Sequence, residues 1–269
     1  MRLATFPSLL ALVLGFSCLP GLPDELGEKG KAIFKKNQHA VVTIQLVLKN
    51  KVSVPGLGNQ SNESRQDVTG TVVDPSGLTV LSLSTTDPSH MFQAIMSGLS
   101  DDENSNFKME TELSDIKILQ EDGVEVAAEI VLRDKDLDLA FIRPKSKLSN
   151  PMTALELSKP GKADVLDQVI TLNRLGNVAG RAYSASVERI AAIVQKPRLF
   201  YVPDSTMTST KPGCPAFTVD GKVLGICVMR TGTRSGGASL LNLQFDNVTS
   251  IIIPAEEIAK AAKQAPAQP

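Results

Sequence analysis

Gly70–Ser84 reads GTVVDPSGLTVLSLS. Two runs rich in Val, Thr and Leu flank Pro75-Ser76-Gly77, a triplet of strong turn formers, so the stretch predicts an antiparallel hairpin over Val68–Asp74 and Leu78–Ser84. The same grammar repeats outward from it. Upstream, Asp24–Lys36 reads as a short helix leading into a β-rich run at Ala40–Leu48, and Val54–Asp67 (VPGLGNQSNESRQD) reads as a polar, glycine-containing loop. Downstream, Thr85–Ser114 carries DDENSN and little β-pattern, so it reads as a long inserted loop with a helical turn. Strand patterns resume at Asp115–Leu119, Val124–Arg133, Leu137–Arg143, Val165–Leu172, Ala182–Val194 and Leu199–Val202, and end with Pro215–Val219, Lys222–Met229 and Ser239–Gln244. Pro254–Lys263 closes the pattern as a helix, with Glu256 and Glu257 at its positive end and Lys260 and Lys263 at its negative end. Short strands separated by regular turn signals predict an all-β barrel or sandwich rather than an α/β fold.

Composition narrows the functional classes. The chain has 269 residues, 42% hydrophobic and 21% charged, which suits a globular protein with a sizeable core. A formal net charge of −1 supplies no field for nucleic acid or anionic lipid. There is no Trp, and Tyr183 and Tyr201 are the only tyrosines, so stacking platforms for bases are scarce. The reading therefore disfavours a nucleic-acid partner. Two histidines without ligand spacing and no CxxC pair leave no metal or cofactor expected.

The N-terminus has the build of an export signal over residues 1–21. Arg2 gives a positive start, Leu3–Leu14 is largely apolar, and Gly15, Ser17, Pro20 and Gly21 follow. The apolar part is too short to span a bilayer, so no transmembrane span is expected in the mature chain. Cleavage after Ser17 would leave Cys18 at the new N-terminus, which loosely resembles a bacterial lipoprotein site, although Gly15 stands where such sites usually carry Leu. A lipid anchor at Cys18 stays open beside a plain signal peptide. The mature domain then keeps Cys214 and Cys227, on either side of the turn dipeptide Asp220-Gly221. A two-residue hairpin places them directly opposite each other at a non-hydrogen-bonded pair. Two readings stand: a cross-strand disulfide formed in an oxidising compartment, or two small buried thiols.

Four stretches in order carry a family resemblance: Ala40–Gln45 (AVVTIQ), Gly70–Ser84, Asp134–Pro144 (DKDLDLAFIRP) and Thr210–Gly225 (TKPGCPAFTVDGKVLG). Together they resemble the trypsin-like protease domain of the high-temperature-requirement family, within the chymotrypsin-fold superfamily. Asp134–Ile142 is similar to that family's D-x-x-x-D-L-A-x-[LI] stretch. The resemblance runs from about Lys31 to Lys260. It implies one domain over residues 31–260 made of two antiparallel six-stranded β-barrels, about 31–145 and 160–253, with a short N-terminal and a C-terminal helix and a disordered tail at 261–269.

The resemblance also implies where catalytic groups belong, and most are missing. Counting from Gly77, the family's histidine falls on Ser84, whose hydroxyl cannot serve as the general base that imidazole provides. Asp138 matches the orienting carboxylate. The family's N-P-G-N-S-G-G-P is replaced by Lys211-Pro212-Gly213-Cys214-Pro215, which puts Pro212 or Cys214 at the nucleophile position and shortens the oxyanion loop. His39 precedes the first strand, on the far side of the barrel, and His90 sits in the inserted loop. Cys214 with His90 or Lys211 is the thiol alternative. Ser235-Gly236-Gly237 contains S-G-G but follows the strand that should come after the nucleophile. The expectation is an exported protein, periplasmic or extracellular, that lacks proteolysis and binds protein or peptide segments through the cleft or the 85–114 stretch. The alternatives are a divergent peptidase using Cys214 or Ser235, and a structural envelope lipoprotein.

Overall fold

The computed structural model describes residues 24–54, 58–89, 108–121, 123–204, 211–231 and 248–267. Helix α1 (Glu25–Asn37) starts where the Asp24 carboxylate accepts from the Gly27 N–H at 3.0 Å. Glu25 and Glu28 sit in its first turn and Lys35 and Lys36 in its last, complementing the helix dipole. The chain then builds β1 (Val41–Val54), β2 (Gly58–Asp74), β3 (Leu78–Ser82), β4 (Lys108–Leu119), β5 (Glu125–Asp134) and β6 (Leu139–Pro144). These close into a barrel in the order β1-β2-β3-β6-β5-β4. A second set follows: β7 (Gln168–Arg174), β8 (Tyr183–Val194), β9 (Phe200–Pro203), β10 (Pro215–Thr218), β11 (Val223–Thr231) and β12 (Val248–Pro254). It closes in the order β10-β11-β12-β9-β8-β7. Two closed six-stranded antiparallel barrels form a chymotrypsin-like architecture, the expected fold class. Helix α2 (Ala255–Ala262) ends the series with Ala255, Ile258 and Ala261 buried at helical spacing.

Alternation drives the barrels. Val42, Ile44, Leu46 and Leu48 point into the first barrel at period two, while Val41 turns the other way and joins Ile170, Leu172 and Phe217 of the second. A larger cluster belongs to both barrels. Leu78, Val80 and Phe141 meet Ile226, Val228 and Ile251, and Ile258 and Ala261 of α2 close it. Polar ties cross the same boundary: Thr71 Oγ1 donates to the Gly213 carbonyl at 2.8 Å, and Arg181 Nε pairs with Asp67 at 2.7 Å.

Three readings of the sequence need correction. Val54–Asp67 is largely strand, since Gly58 onward pairs with β1. Its side chains are polar because this ribbon is solvated, with Gln60 to Glu63 exposed, and main-chain pairing holds it. The insertion ends sooner than expected, because β4 begins at Lys108 and pairs with the outer half of β1. The strand expected at Ser239–Gln244 lies outside the described residues, among which the last strand is Val248–Pro254. Finally, the ordered chain passes residue 260: Ala262 and Ala265 pack against the shared cluster. Among the described residues no helix is long and apolar enough to cross a membrane.

Phe141 is fully buried in the shared cluster. Phe141→Ala is expected to cost about 3–5 kcal/mol in denaturant unfolding, and to loosen both barrels together rather than the first alone.

Candidate functional site

Asp138 sits between the turn that follows β5 and the start of β6, with a left-handed φ of 55°. The turn is fixed by Asp134, whose Oδ1 accepts from the N–H groups of Asp136 and Leu137, both at 3.0 Å. The Asp138 carboxylate points at the end of β3. It accepts from the Ser84 N–H at 2.8 Å, from Ser84 Oγ at 3.2 Å, and from Ser82 Oγ in a short contact. Ser82 and Ser84 hydroxyls lie 2.8 Å apart, and the Leu83 N–H donates to the Asp138 carbonyl at 2.9 Å. Burial pushes the Asp138 carboxyl above the usual carboxylate range, and the Ser82, Ser84 and Met229 hydrogen bonds only partly oppose it. A carboxylate, two hydroxyls and an N–H thus form one hydrogen-bonded cluster at the end of β3. Ser82 was not singled out from the sequence. Its signal was its position two residues before Ser84, on a strand that ends there.

The Lys211–Pro215 loop, where the resemblance would place a nucleophile, is closed by main-chain hydrogen bonds. Pro212 and Pro215 have no N–H to give. The Gly213 N–H donates to the Cys227 carbonyl at 2.7 Å, and the Cys214 N–H to the Lys211 carbonyl at 3.2 Å. No N–H from 212 to 215 is left for an oxyanion. Gly213 has φ +91°, and a Cβ there would lie 2.0 Å from the Thr69 carbonyl oxygen. The loop is therefore seated against β2 of the first barrel. Lys211 reaches the other way, with Nζ on the Arg174 carbonyl at 3.1 Å.

Cys214 and Cys227 are both free and fully buried, among Val169, Ile190, Ala216 and Ile252 of the second barrel. They lie opposite each other, but the Cys227 N–H donates to the Cys214 carbonyl at 2.8 Å, so the pair is on the hydrogen-bonded side. The two-residue hairpin behind the original expectation is not what forms. Thr218 accepts from Gly221 and donates to the Lys222 carbonyl around a wider turn, and a register shift between Ala216 and Phe217 restores the opposition. The Cys227 thiol is held well above the ordinary thiol range by its hydrogen bond to Cys214, then by burial and by the Glu188 charge.

His39 does not approach Asp138. Its Nδ1 pairs with Glu121 at 2.8 Å, and its ring stands edge-on to Tyr183 with centroids 5.4 Å apart. The Arg174 guanidinium lies over the Tyr183 ring, 4.1 Å from its centroid. His90, Ser235 and Cys18 lie outside the described residues. A hollow of about 460 Å³ is lined by residues that include Lys162, Asp167, Arg189 and Asp220, and by none of the Asp138 cluster. No group of three or more His, Cys, Asp or Glu side chains is gathered for a metal among the described residues. No protein-family model and no curated protein matches the chain.

Two measurements follow from this geometry. Because the folded carboxyl of Asp138 titrates above its unfolded value, the native state holds the extra proton. Its contribution to stability is complete below the unfolded value, about pH 3.9, and is lost as pH rises through the folded one. Asp138→Asn is expected to remove that downward slope, seen as the difference between the two stability–pH curves; parallel curves would refute it. Gly213→Ala is expected to cost about 2–4 kcal/mol from positive φ plus the clash with Thr69. Gly123→Ala, with φ +83° and open space around it, is expected to cost only about 1–2 kcal/mol.

Proposed function

We propose that this chain is an exported, proteolytically silent trypsin-type protein, a degenerate relative of the high-temperature-requirement proteases, that binds protein or peptide segments without cleaving them. The observation that carries the reading is the hydrogen-bond wiring at the former site. Acyl transfer needs a nucleophile, a base of suitable pKa and donors for the oxyanion. Here Ser84 stands at the histidine position and is bonded back onto Asp138. The N–H groups of Gly213 and Cys214 are spent on carbonyls of the chain itself. Cys214 is the thiol nearest the nucleophile position, and it is fully buried with its side chain bonded to Cys227. Proteolysis has lost its parts while the scaffold is complete, and a two-barrel scaffold that no longer turns over its ligand still offers loops and a seam for contact. Export rests on the Arg2–Leu14 segment.

The test is to incubate the full chain with fluorescently labelled, unfolded casein at neutral pH. Binding is expected as a saturable rise in anisotropy, with no new fragments on a gel. Ser84→His is expected to stay inert, because restoring the imidazole supplies neither nucleophile nor oxyanion donors. Cleavage that disappears in Cys214→Ala or Ser235→Ala would overturn the silent-protease half. Absence of any anisotropy change would overturn the binding half.

A further inference from the structure

The hollow on the second barrel, about 460 Å³, has the size of a small-molecule pocket, commonly about 300–1,000 Å³. β7 and β8 bring Gln168 and Arg189 to it as opposed residues, and Lys162 enters from the stretch before β7. Its four charged side chains are not equally engaged. The Asp220 carboxylate pairs with Lys222 at 2.8 Å and accepts from Thr218 Oγ1 in a short contact. Asp167 Oδ2 accepts from the Asp164 N–H at 2.7 Å. Arg189 gives one N–H, from Nη1, to the Leu166 carbonyl at 3.1 Å. The side chains of Lys162 and Gln168 have no hydrogen bond or ion pair with a described residue. The unused groups are therefore N–H donors, two of them on cationic side chains. The same hollow has an apolar part in Leu166 and Val219, and Leu166 is held there under strain. Asp164–Asp167 is a turn closed by the Asp167 N–H on the Asp164 carbonyl at 3.1 Å. Leu166 stands third in it with φ 72°, where a type II turn takes Gly or Asn. Burial does not compensate, because Leu166 is 66% exposed. Its N–H bonds the Ile190 carbonyl at 2.8 Å, so both of its backbone groups are fixed. Strain of this kind gathers at ligand clamps.

We propose that this hollow binds an organic carboxylate with an apolar body. Lys162, Arg189 and Gln168 receive the carboxylate, and Leu166 with Val219 covers the hydrocarbon beside it. A bare inorganic anion would leave the exposed Leu166 without a contact. A purely apolar ligand would leave the Lys162 and Gln168 donors unmet and strip them of water. A ligand with both parts answers both. Asp220 does not repel it strongly, since Lys222 already stands on that carboxylate. Two sources carry this chemistry, a free amphipathic acid and the free C-terminus of a peptide that ends in an apolar residue.

Titration calorimetry of the full chain tests it, with octanoate and octanol as one pair of probes. The second pair is an acetylated Ala-Ala-Ala-Leu peptide with a free C-terminus and the same peptide as its amide. At least one carboxylate is expected to bind, more weakly at high salt, and its neutral counterpart is not. Octanoate alone assigns the free acid, and the peptide acid alone assigns a peptide terminus; either result, or both, supports the site. Lys162→Gln is expected to weaken binding about fivefold or more. Leu166→Gly is expected to weaken it by a similar factor while leaving the melting temperature unchanged or higher, because Gly relieves the turn. That opposition separates a ligand contact from a packing role. The proposal fails if neither carboxylate binds, or if octanol or the amide binds as well as its acid. It fails equally if Lys162→Gln has no effect, or if Leu166→Gly either leaves binding intact or lowers stability along with it.

Discussion

Leu78, Val80 and Phe141 of the first barrel and Ile226, Val228 and Ile251 of the second share one dry cluster, sealed by Ile258 and Ala261 of α2. Each barrel also has an interior of its own, but a closed six-stranded barrel is narrow and leaves apolar side chains on its outer wall. Those outer side chains are what the two barrels bury against each other. The position of β3, β6 and β11 at the seam follows from this burial. So does the position of Asp138, since it sits at the start of β6, where the seam meets solvent.

The cluster around Asp138 is held by hydrogen bonds, not by an opposite charge. An isolated buried carboxylate is costly unless its lone pairs are satisfied. Ser82, Ser84 and the Ser84 N–H satisfy them without bringing a positive charge, which is why burial still dominates the Asp138 titration. The Gly213 loop has a tight seat on Thr69 and Thr71 of the first barrel. The same glycine that lets the backbone approach β2 also turns its N–H inward to the Cys227 carbonyl.

Much of this could be read from residue order. The hairpin around Pro75-Ser76-Gly77 and the run at Leu139–Pro144 announce themselves, because every residue of β3 and β6 is buried and both are bounded by turn formers. β2 did not, since Gln60–Gln66 is polar on both faces and nothing in its composition separates a solvated ribbon from a loop. The opposition of Cys214 and Cys227 was legible, but not the class of their pairing. The wider turn and the shift beside Ala216 each displace the register, and they cancel only in three dimensions. At the site, Ser84 and Asp138 were singled out by the family resemblance. The closure of the Gly213 loop was not legible, because the Gly213 N–H finds its acceptor at the Cys227 carbonyl of β11, outside the loop's own stretch. The family resemblance rested on those short stretches, and the architecture supports its coarse form.

One packing detail sets a timetable. Ile33 of α1 and Ala255 at the start of α2 lie in the same cluster with Leu155, Phe217 and Val223, although over two hundred positions separate the first from the last. Contacts of such long sequence separation carry a loop-closure cost that is met before they give anything back. A folding chain can form the first barrel's own interior early, but α1 has no finished surface to settle on until Phe217, Val223 and Ala255 are in place. Until then that helix waits with Ile33 uncovered, and a segment far along the chain is what allows it to come to rest.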